Sequence, residues 1–189
     1  LPRPSTPMAP PDMATFDQVR TELATRRLAD FVSQAWPVVE PRPFVAGWHI
    51  DAICEGLEAV TAGTVRRLLI TVPPRHMKSL AVSVFWPAWV WGPRARPGVR
   101  FLFASYARAL SVRDSVRCRR VLDSPWFRAR WPVDLTGDQN TKARFDNSSG
   151  GYRLATSVDG ALTGEGGDII VVDDPHNVRR VPSPSVPPT

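Results

Sequence analysis

A chain of 189 residues with 43% apolar residues and seven tryptophans can bury one core, which excludes a wholly disordered protein. No window approaches the ~20 apolar residues of a membrane span, and no apolar leader opens the chain, so we expect a cytoplasmic protein without a membrane partner. The net charge of +6 is carried mostly by arginine, since Lys78 and Lys142 are the only lysines. A polyanionic partner and a codon bias toward arginine explain this equally well.

Proline-rich segments at both ends of the chain predict disordered tails, over residues 1–14 and 179–189. Between the tails, an N-terminal helical segment over 15–62 precedes an α/β core over 63–178. The first helix is predicted to begin at Thr15, where "TFDQ" fits a capping box, and to end near residue 36.

Apolar runs alternate with helical patterns through the rest of the chain. Strands are predicted over 66–72, 99–105, 152–157 (as an edge strand) and 169–174. Helices are predicted over 48–61, from about 78 with Pro87 as a kink or an early end, and over 106–122. The segment 125–150 is predicted to be rich in loops. This alternation indicates an α/β domain with a mostly parallel sheet flanked by helices.

The stretch "TVPPRHMKS", residues 71–79, raises the question of a phosphate-binding site. In a loop of the form GxxxxGK[ST], backbone N–H groups face phosphate oxygens, the lysine reaches the β- and γ-phosphates, and the hydroxyl binds Mg²⁺. Lys78 and Ser79 fit the last two positions. Val72 and Met77, however, occupy the glycine positions, and neither tolerates positive φ as glycine does. The stretch is therefore an altered nucleotide loop or a proline-rich turn that ends in Lys-Ser.

A second segment, "DIIVVDDPH" over 168–176, joins four apolar β-formers to two carboxylates. An acid at the carboxyl end of a parallel strand lies where such sheets bind ligands. The pair fits the magnesium-holding strand of phosphate-loop ATPases: Asp173 holds Mg²⁺, and Asp174 orients or deprotonates the attacking water. The simpler interpretation is that two acids end a strand before Pro175. Both segments together, in this order, favour a nucleotide site.

Three stretches together resemble the large terminase subunits of tailed bacteriophages and prophages. They are "RRLLITVPPRHMKS", "FASYARALSVRDSVRCRRVLDSPWF" and "GALTGEGGDIIVVDDPHN", and the similarity extends over about 40–178. The resemblance implies a phosphate-loop NTPase of the ASCE type that uses ATP and Mg²⁺ to thread double-stranded DNA into a capsid. It also implies a homo-oligomeric motor whose partners are a small terminase subunit and a portal protein.

The resemblance also implies a role for individual residues. ATP is expected to contact the loop formed by Pro74, Arg75, His76, Met77, Lys78 and Ser79. Arg75 is expected to act in catalysis by sensing the γ-phosphate, unless it is a surface arginine. Ser79 and Asp173 are expected to hold Mg²⁺, and Asp174 to be catalytic. Upstream, Trp48 is expected to stack on adenine and His49 to hydrogen-bond it, although a structural role explains His49 equally well. His176, beside the acids, is interpreted as structural.

The family's core contains a further strand between the strand before the phosphate loop and the strand that bears the acids. It also carries a separate C-terminal nuclease domain. The sequence after Asp174 leaves room for neither, so we expect a core that is incomplete at its C-terminus, with Lys78 and Asp173 flanking a gap in the sheet. We expect such a chain to hydrolyse ATP poorly by itself.

Two other functions fit the same residues. One is another nucleic-acid-dependent ATPase, such as a helicase; the other is a non-catalytic, arginine-rich nucleic-acid-binding remnant. Three arginines of the predicted helix over 106–122 share one face: Arg113, Arg117 and Arg120. They offer contacts to DNA phosphates, but a solvated face is the simpler interpretation.

Overall fold

The computed structural model describes residues 13–159 and 166–175. The predicted proline-rich tails lie almost wholly outside these ranges, as do His176 and the first part of the glycine-rich loop. The helices are α1 (Met13–Arg26), α2 (Leu28–Val39), α3 (Trp48–Ala62), α4 (Lys78–Leu80), α5 (Trp86–Trp91), α6 (Arg108–Asp123) and α7 (Pro125–Arg128), with a π-helical turn over Ala81–Phe85. The strands are β1 (Phe101–Ser105), β2 (Leu135–Asn140), β3 (Arg144–Asn147), β4 (Tyr152–Ser157) and β5 (Ile169–Asp173).

The described strands form one five-stranded mixed sheet in the order β2-β3-β4-β1-β5. The fully buried strand β1 pairs in parallel with β4 and β5, whereas β3 is antiparallel to both β2 and β4. The α/β class is therefore confirmed, and the expectation of a mostly parallel sheet is wrong on the β2–β3 side. A hairpin there occupies part of the predicted loop region, so the strand over 152–157 lies inside the sheet rather than at its edge.

Residues 66–72 form no strand, contrary to the prediction from their apolar run. Within the described part of the chain, the backbone of this segment makes no hydrogen bond to another backbone group, and Leu69 is 90% exposed. Apolar composition favours a strand, but a ladder also requires a neighbouring strand with free backbone groups. None of the described strands pairs with this segment, which a groove separates from the open edge of β5.

The predicted first helix is divided into α1 and α2 at Arg27, whose backbone is extended (φ −121°, ψ 130°). The backbone N–H of Leu28, at the start of α2, donates to Glu58 Oε1 of α3 at 2.6 Å. In a continuous helix this N–H would donate to a backbone carbonyl, but here it donates to a side chain of another helix. The capping box at Thr15 is also wrong, because α1 begins at Met13 and Thr15 lies inside it.

Pro87 neither ends nor breaks the helical stretch from α4 to α5. The π-helical turn precedes it, with the N–H of Trp86 donating to the carbonyl of Ala81. Proline has no N–H to offer the carbonyl of Ser83, four residues earlier. The buried Arg153 supplies the missing donor, since its Nη2 lies 2.9 Å from Ser83 O. A distant strand thus stabilises the helix at its proline.

Cys54 and Cys118 are both buried and free. Burial raises the pKa of the Cys54 thiol to about 12, with a further contribution from Glu58. Burial raises the pKa of the Cys118 thiol to about 11. Because the thiolate is the reactive form, both residues are chemically inert in the folded protein.

Replacing Ala95 with glycine is expected to stabilise the fold by about 0.5 to 1 kcal/mol. Ala95 is exposed and adopts φ 49°, in the left-handed region that is costly for residues with a Cβ. The gain is reduced because glycine makes the unfolded chain more flexible. Chemical denaturation measures the change. The control Ala52→Gly, at an exposed position inside α3, should instead destabilise the protein by about 1 kcal/mol, and equal effects at both positions would contradict the prediction.

Candidate functional site

Four polar side chains from the two candidate segments meet at one point. Lys78 Nζ donates to Asp174 Oδ1 at 2.6 Å and lies 3.0 Å from Asp173 Oδ1. Ser79 Oγ donates to Asp173 Oδ2 at 2.6 Å. The structure therefore brings together an ammonium, a hydroxyl and two carboxylates that are separated by more than 90 residues in the sequence.

The sheet and the helical stretch after the loop hold these groups in place. Asp173 is the last residue of β5 and lies in register with Ser105, the last residue of β1. Lys78 and Ser79 begin α4, so the ammonium and the hydroxyl face the carboxyl ends of the parallel strands. Partial burial alone lowers the pKa of Lys78, but the hydrogen bonds to Asp174 and Asp173 outweigh it. The net shift is upward, so the ammonium remains charged at neutral pH.

The loop before Lys78 contains left-handed backbone conformations, although it has no glycine to favour them. Arg75 and Met77 have φ values of 68° and 63°, both left-handed. Such residues cost of order 1–3 kcal/mol each and concentrate at functional sites. Within the described part of the chain, the N–H groups of residues 75–80 have no backbone acceptor. Consecutive free N–H groups in such turns form a concavity that binds anions.

Trp48 and His49, the two upstream residues expected near adenine, have different surroundings in the structure. The His49 ring lies 5.3 Å from the His76 ring of the loop, in an edge-on arrangement. His76 Nδ1–H donates to the carbonyls of Pro74 at 3.0 Å and Pro73 at 3.1 Å, which fixes the turn. The structure thus connects His49 to the loop, whereas Trp48 is 82% exposed at the start of α3.

Two predicted catalytic residues are less constrained. Arg75 is exposed and forms no ion pair within the described ranges. The Asp174 side chain is 71% exposed, and its backbone has φ 45°. The N–H of Tyr106 donates to its carbonyl at 3.3 Å, which extends the contact between β1 and β5 by one residue. Asp174 is therefore positioned by its backbone and by Lys78.

An apolar groove of about 570 Å³ lies between the segment 66–70 and strand β5. Lys78 and Asp173 lie at one end of the groove and Asp168 lines it as well. β5 is the edge of the described sheet, and its outer side chains Ile170 and Val172 are 62% and 55% exposed. The groove therefore lies between the segment that leads into the phosphate loop and the strand that ends in Asp173, where a gap in the sheet was expected.

A smaller cavity of about 180 Å³ lies beside the same carboxylates. It is lined by Ser79, Asp173 and Asp174, and also by Arg113 and Asp114 of α6. Sequence interpretation missed this pair. A signal was present, because Asp114 shares the buried face of α6 with Ser111, Ser115, Cys118, Val121 and Leu122. An acid within a buried helical face requires a partner.

The arginines of α6 do not form a simple solvated face, which corrects that interpretation. Arg113 pairs with the buried Asp114. Arg117, whose side chain is 27% exposed, lies 3.2 Å from Glu40 and 3.9 Å from Asp114. Arg120 is exposed. Two of the three arginines therefore form ion pairs within the fold.

None of the helices in the described ranges is long and apolar enough to cross a membrane. Within residues 13–159 and 166–175, no three His, Cys, Asp or Glu side chains converge as a metal-binding group. No family model matches the chain, and neither the curated proteins nor the solved structures include a match to it.

Proposed function

We propose that this chain binds Mg-ATP at the loop over 74–79 and is the ATPase part of a DNA-packaging motor of the large terminase type. One observation carries the proposal: Lys78 and Ser79 at a helix start contact Asp173 and Asp174 at the end of a parallel strand. A phosphate-loop NTPase requires these four groups in this order and at this edge of the sheet.

The donor set suits magnesium bound together with a nucleotide. Mg²⁺ keeps several waters and takes one or two protein ligands along with substrate phosphates. Ser79 Oγ and Asp173 provide such a pair, so a larger cluster of acids is not needed. When bound, the metal would neutralise phosphate charge during transfer of the terminal phosphoryl group.

The protein's own groups have distinct tasks in this proposal. Phosphate oxygens replace the carboxylates as the partners of Lys78, while the free N–H groups of residues 75–80 bind the remaining oxygens. Release from Lys78 leaves Asp174 able to accept a proton from the attacking water. Arg75 senses the γ-phosphate from the same loop. His49 and Trp48 provide the contacts to the base, with His49 anchored against His76.

The wider role follows from the sequence resemblance. We propose double-stranded DNA as the polymer that is moved, with a small terminase subunit, a portal protein and further copies of the chain as partners. The site of action would be the host cytoplasm, at the procapsid. The groove beside β5 supports the expectation of slow turnover, because none of the described strands pairs with β5 on that side.

Titration of the full chain with ATP by calorimetry tests the proposed function. We expect micromolar binding in the presence of Mg²⁺ and at least about tenfold weaker binding with EDTA, because Asp173 repels phosphate when no cation lies between them. A protein that binds DNA with a steep salt dependence but shows no Mg²⁺-dependent affinity for ATP would be the arginine-rich remnant instead.

A further inference from the structure

The cavity of about 180 Å³ beside the carboxylates is lined by a guanidinium whose position is fixed. Arg113 Nε lies 2.9 Å from Asp114 Oδ1, and Nη2 lies 3.2 Å from Oδ2. The Asp114 side chain is 4% exposed, whereas that of Arg113 is 49% exposed. Two parallel bonds to a buried acid hold the guanidinium plane, and its other N–H donors have no hydrogen-bond partner among the described residues.

The size of the cavity and its position beside the loop suit a phosphate group. Its volume of about 180 Å³ corresponds to about six waters at ~30 Å³ each, which is ample for one tetrahedral oxyanion. The Ser79 hydroxyl lines the same space, so a group bound there would adjoin the phosphate loop.

The acidic side chains that line the cavity restrict which phosphate ligands can bind there. Asp173, Asp174 and Asp114 all line the cavity, and their combined charge repels a free phosphate. A divalent cation between Ser79 and Asp173 removes much of this repulsion. Hydrogen bonding to Asp114 raises the pKa of Arg113, which keeps the guanidinium charged. The cavity is therefore suited to the terminal phosphate of a metal-bound nucleotide rather than to free phosphate.

We propose that Arg113 contacts the terminal phosphate of a Mg-nucleoside triphosphate in this cavity and that Asp114 positions its guanidinium. This inference rests on the proposed function, because the nucleotide must first occupy the loop at Lys78. Arg113 then distinguishes the triphosphate from the diphosphate, since only the triphosphate extends a phosphate group into the cavity.

Calorimetric titration of the full chain with Mg-ADP and with the Mg complex of a non-hydrolysable ATP analogue tests this role. Arg113→Ala should weaken binding of the analogue at least about tenfold and binding of Mg-ADP less than about twofold, as expected for loss of one charge-assisted hydrogen bond. Arg113→Lys keeps the positive charge but loses the paired N–H donors of the guanidinium, so its loss of affinity for the analogue should be intermediate. Arg120→Ala, at an exposed position on the same helix, should bind both nucleotides as the original chain does.

The possible results separate the two proposals. Equal losses for both nucleotides, or no loss for either, would overturn the role of Arg113 and leave the nucleotide site intact. An original chain that binds neither nucleotide would overturn the proposed function and this inference with it. Thermal unfolding shows whether Arg113→Ala is folded; if it is not, the ratio of the two affinities in Arg113→Lys decides.

Discussion

Lys78→Ala is expected to lower the affinity of the chain for Mg-ATP at least about 100-fold, equivalent to about 2.7 kcal/mol. The expected loss is large because the ammonium is the strongest single donor that the loop can offer to phosphate oxygens, and charge-assisted hydrogen bonds contribute about 1.5 to 3 kcal/mol. The substitution also removes the cation that lies 3.0 Å from Asp173 Oδ1 and 2.6 Å from Asp174 Oδ1. The two carboxylates then repel an incoming triphosphate more strongly.

Lys142→Ala is the matched control, because Lys142 is the other lysine of the chain and is exposed beside β3. Its affinity for Mg-ATP should equal that of the original chain. Lys78→Ala itself should remain folded, since its two ion pairs are partly exposed and such pairs contribute little to stability. A Lys78→Ala protein that is folded and still binds Mg-ATP normally would contradict the assignment.

Gly151→Ala is expected to destabilise the protein by about 3 kcal/mol, at the upper end of the usual cost of overpacking. A Cβ at Gly151 would lie 1.9 Å from Pro97 O and 2.8 Å from Asn147 Nδ2. The clash involves backbone, and Asn147 cannot move freely. Its Nδ2 donates to Pro97 O at 2.8 Å, and its Oδ1 accepts from the N–H groups of Ser149 and Gly151. The substitution therefore separates the start of β4 from the segment that leads into β1.

Gly137→Ala provides the comparison for this prediction. A Cβ at Gly137 meets no heavy atom within 4 Å, and its φ is not left-handed, so stability should change by less than about 0.5 kcal/mol. Urea denaturation of both variants gives the two values. Similar stabilities for the two variants would show that the chain relaxes at Gly151 and that the contact with Pro97 does not fix the sheet.

The sequence predicts the buried strands better than the exposed ones. The run at 99–105 is apolar at five of its seven positions, and the matching strand β1 is buried throughout. The hairpin of β2 and β3 is missed because its sequence, "LTGDQN" in β2, is polar and half-exposed. The opposite error occurs at 66–72, where apolar residues predict a strand but none of the described strands pairs with the segment. Pairing depends on tertiary context, which local composition does not contain.

In the candidate site, too, the features that depend on local sequence were predicted and those that depend on tertiary packing were not. Lys78 and Ser79 contact Asp173 and Asp174, although the strand predicted before the phosphate loop does not form. The left-handed conformation of Met77 contradicts its residue preference and depends on the surrounding loop. The contribution of Arg113 also depends on tertiary packing, because it arises from a helix that lies between the two segments in sequence and beside both of them in space.

The structure of the chain with Mg²⁺ and a non-hydrolysable ATP analogue tests the central claim most directly. We expect Lys78 Nζ to exchange Asp173 and Asp174 for phosphate oxygens, with the metal about 2.1 Å from Ser79 Oγ. An analogue bound elsewhere, with Lys78 still paired to both carboxylates, would contradict the account.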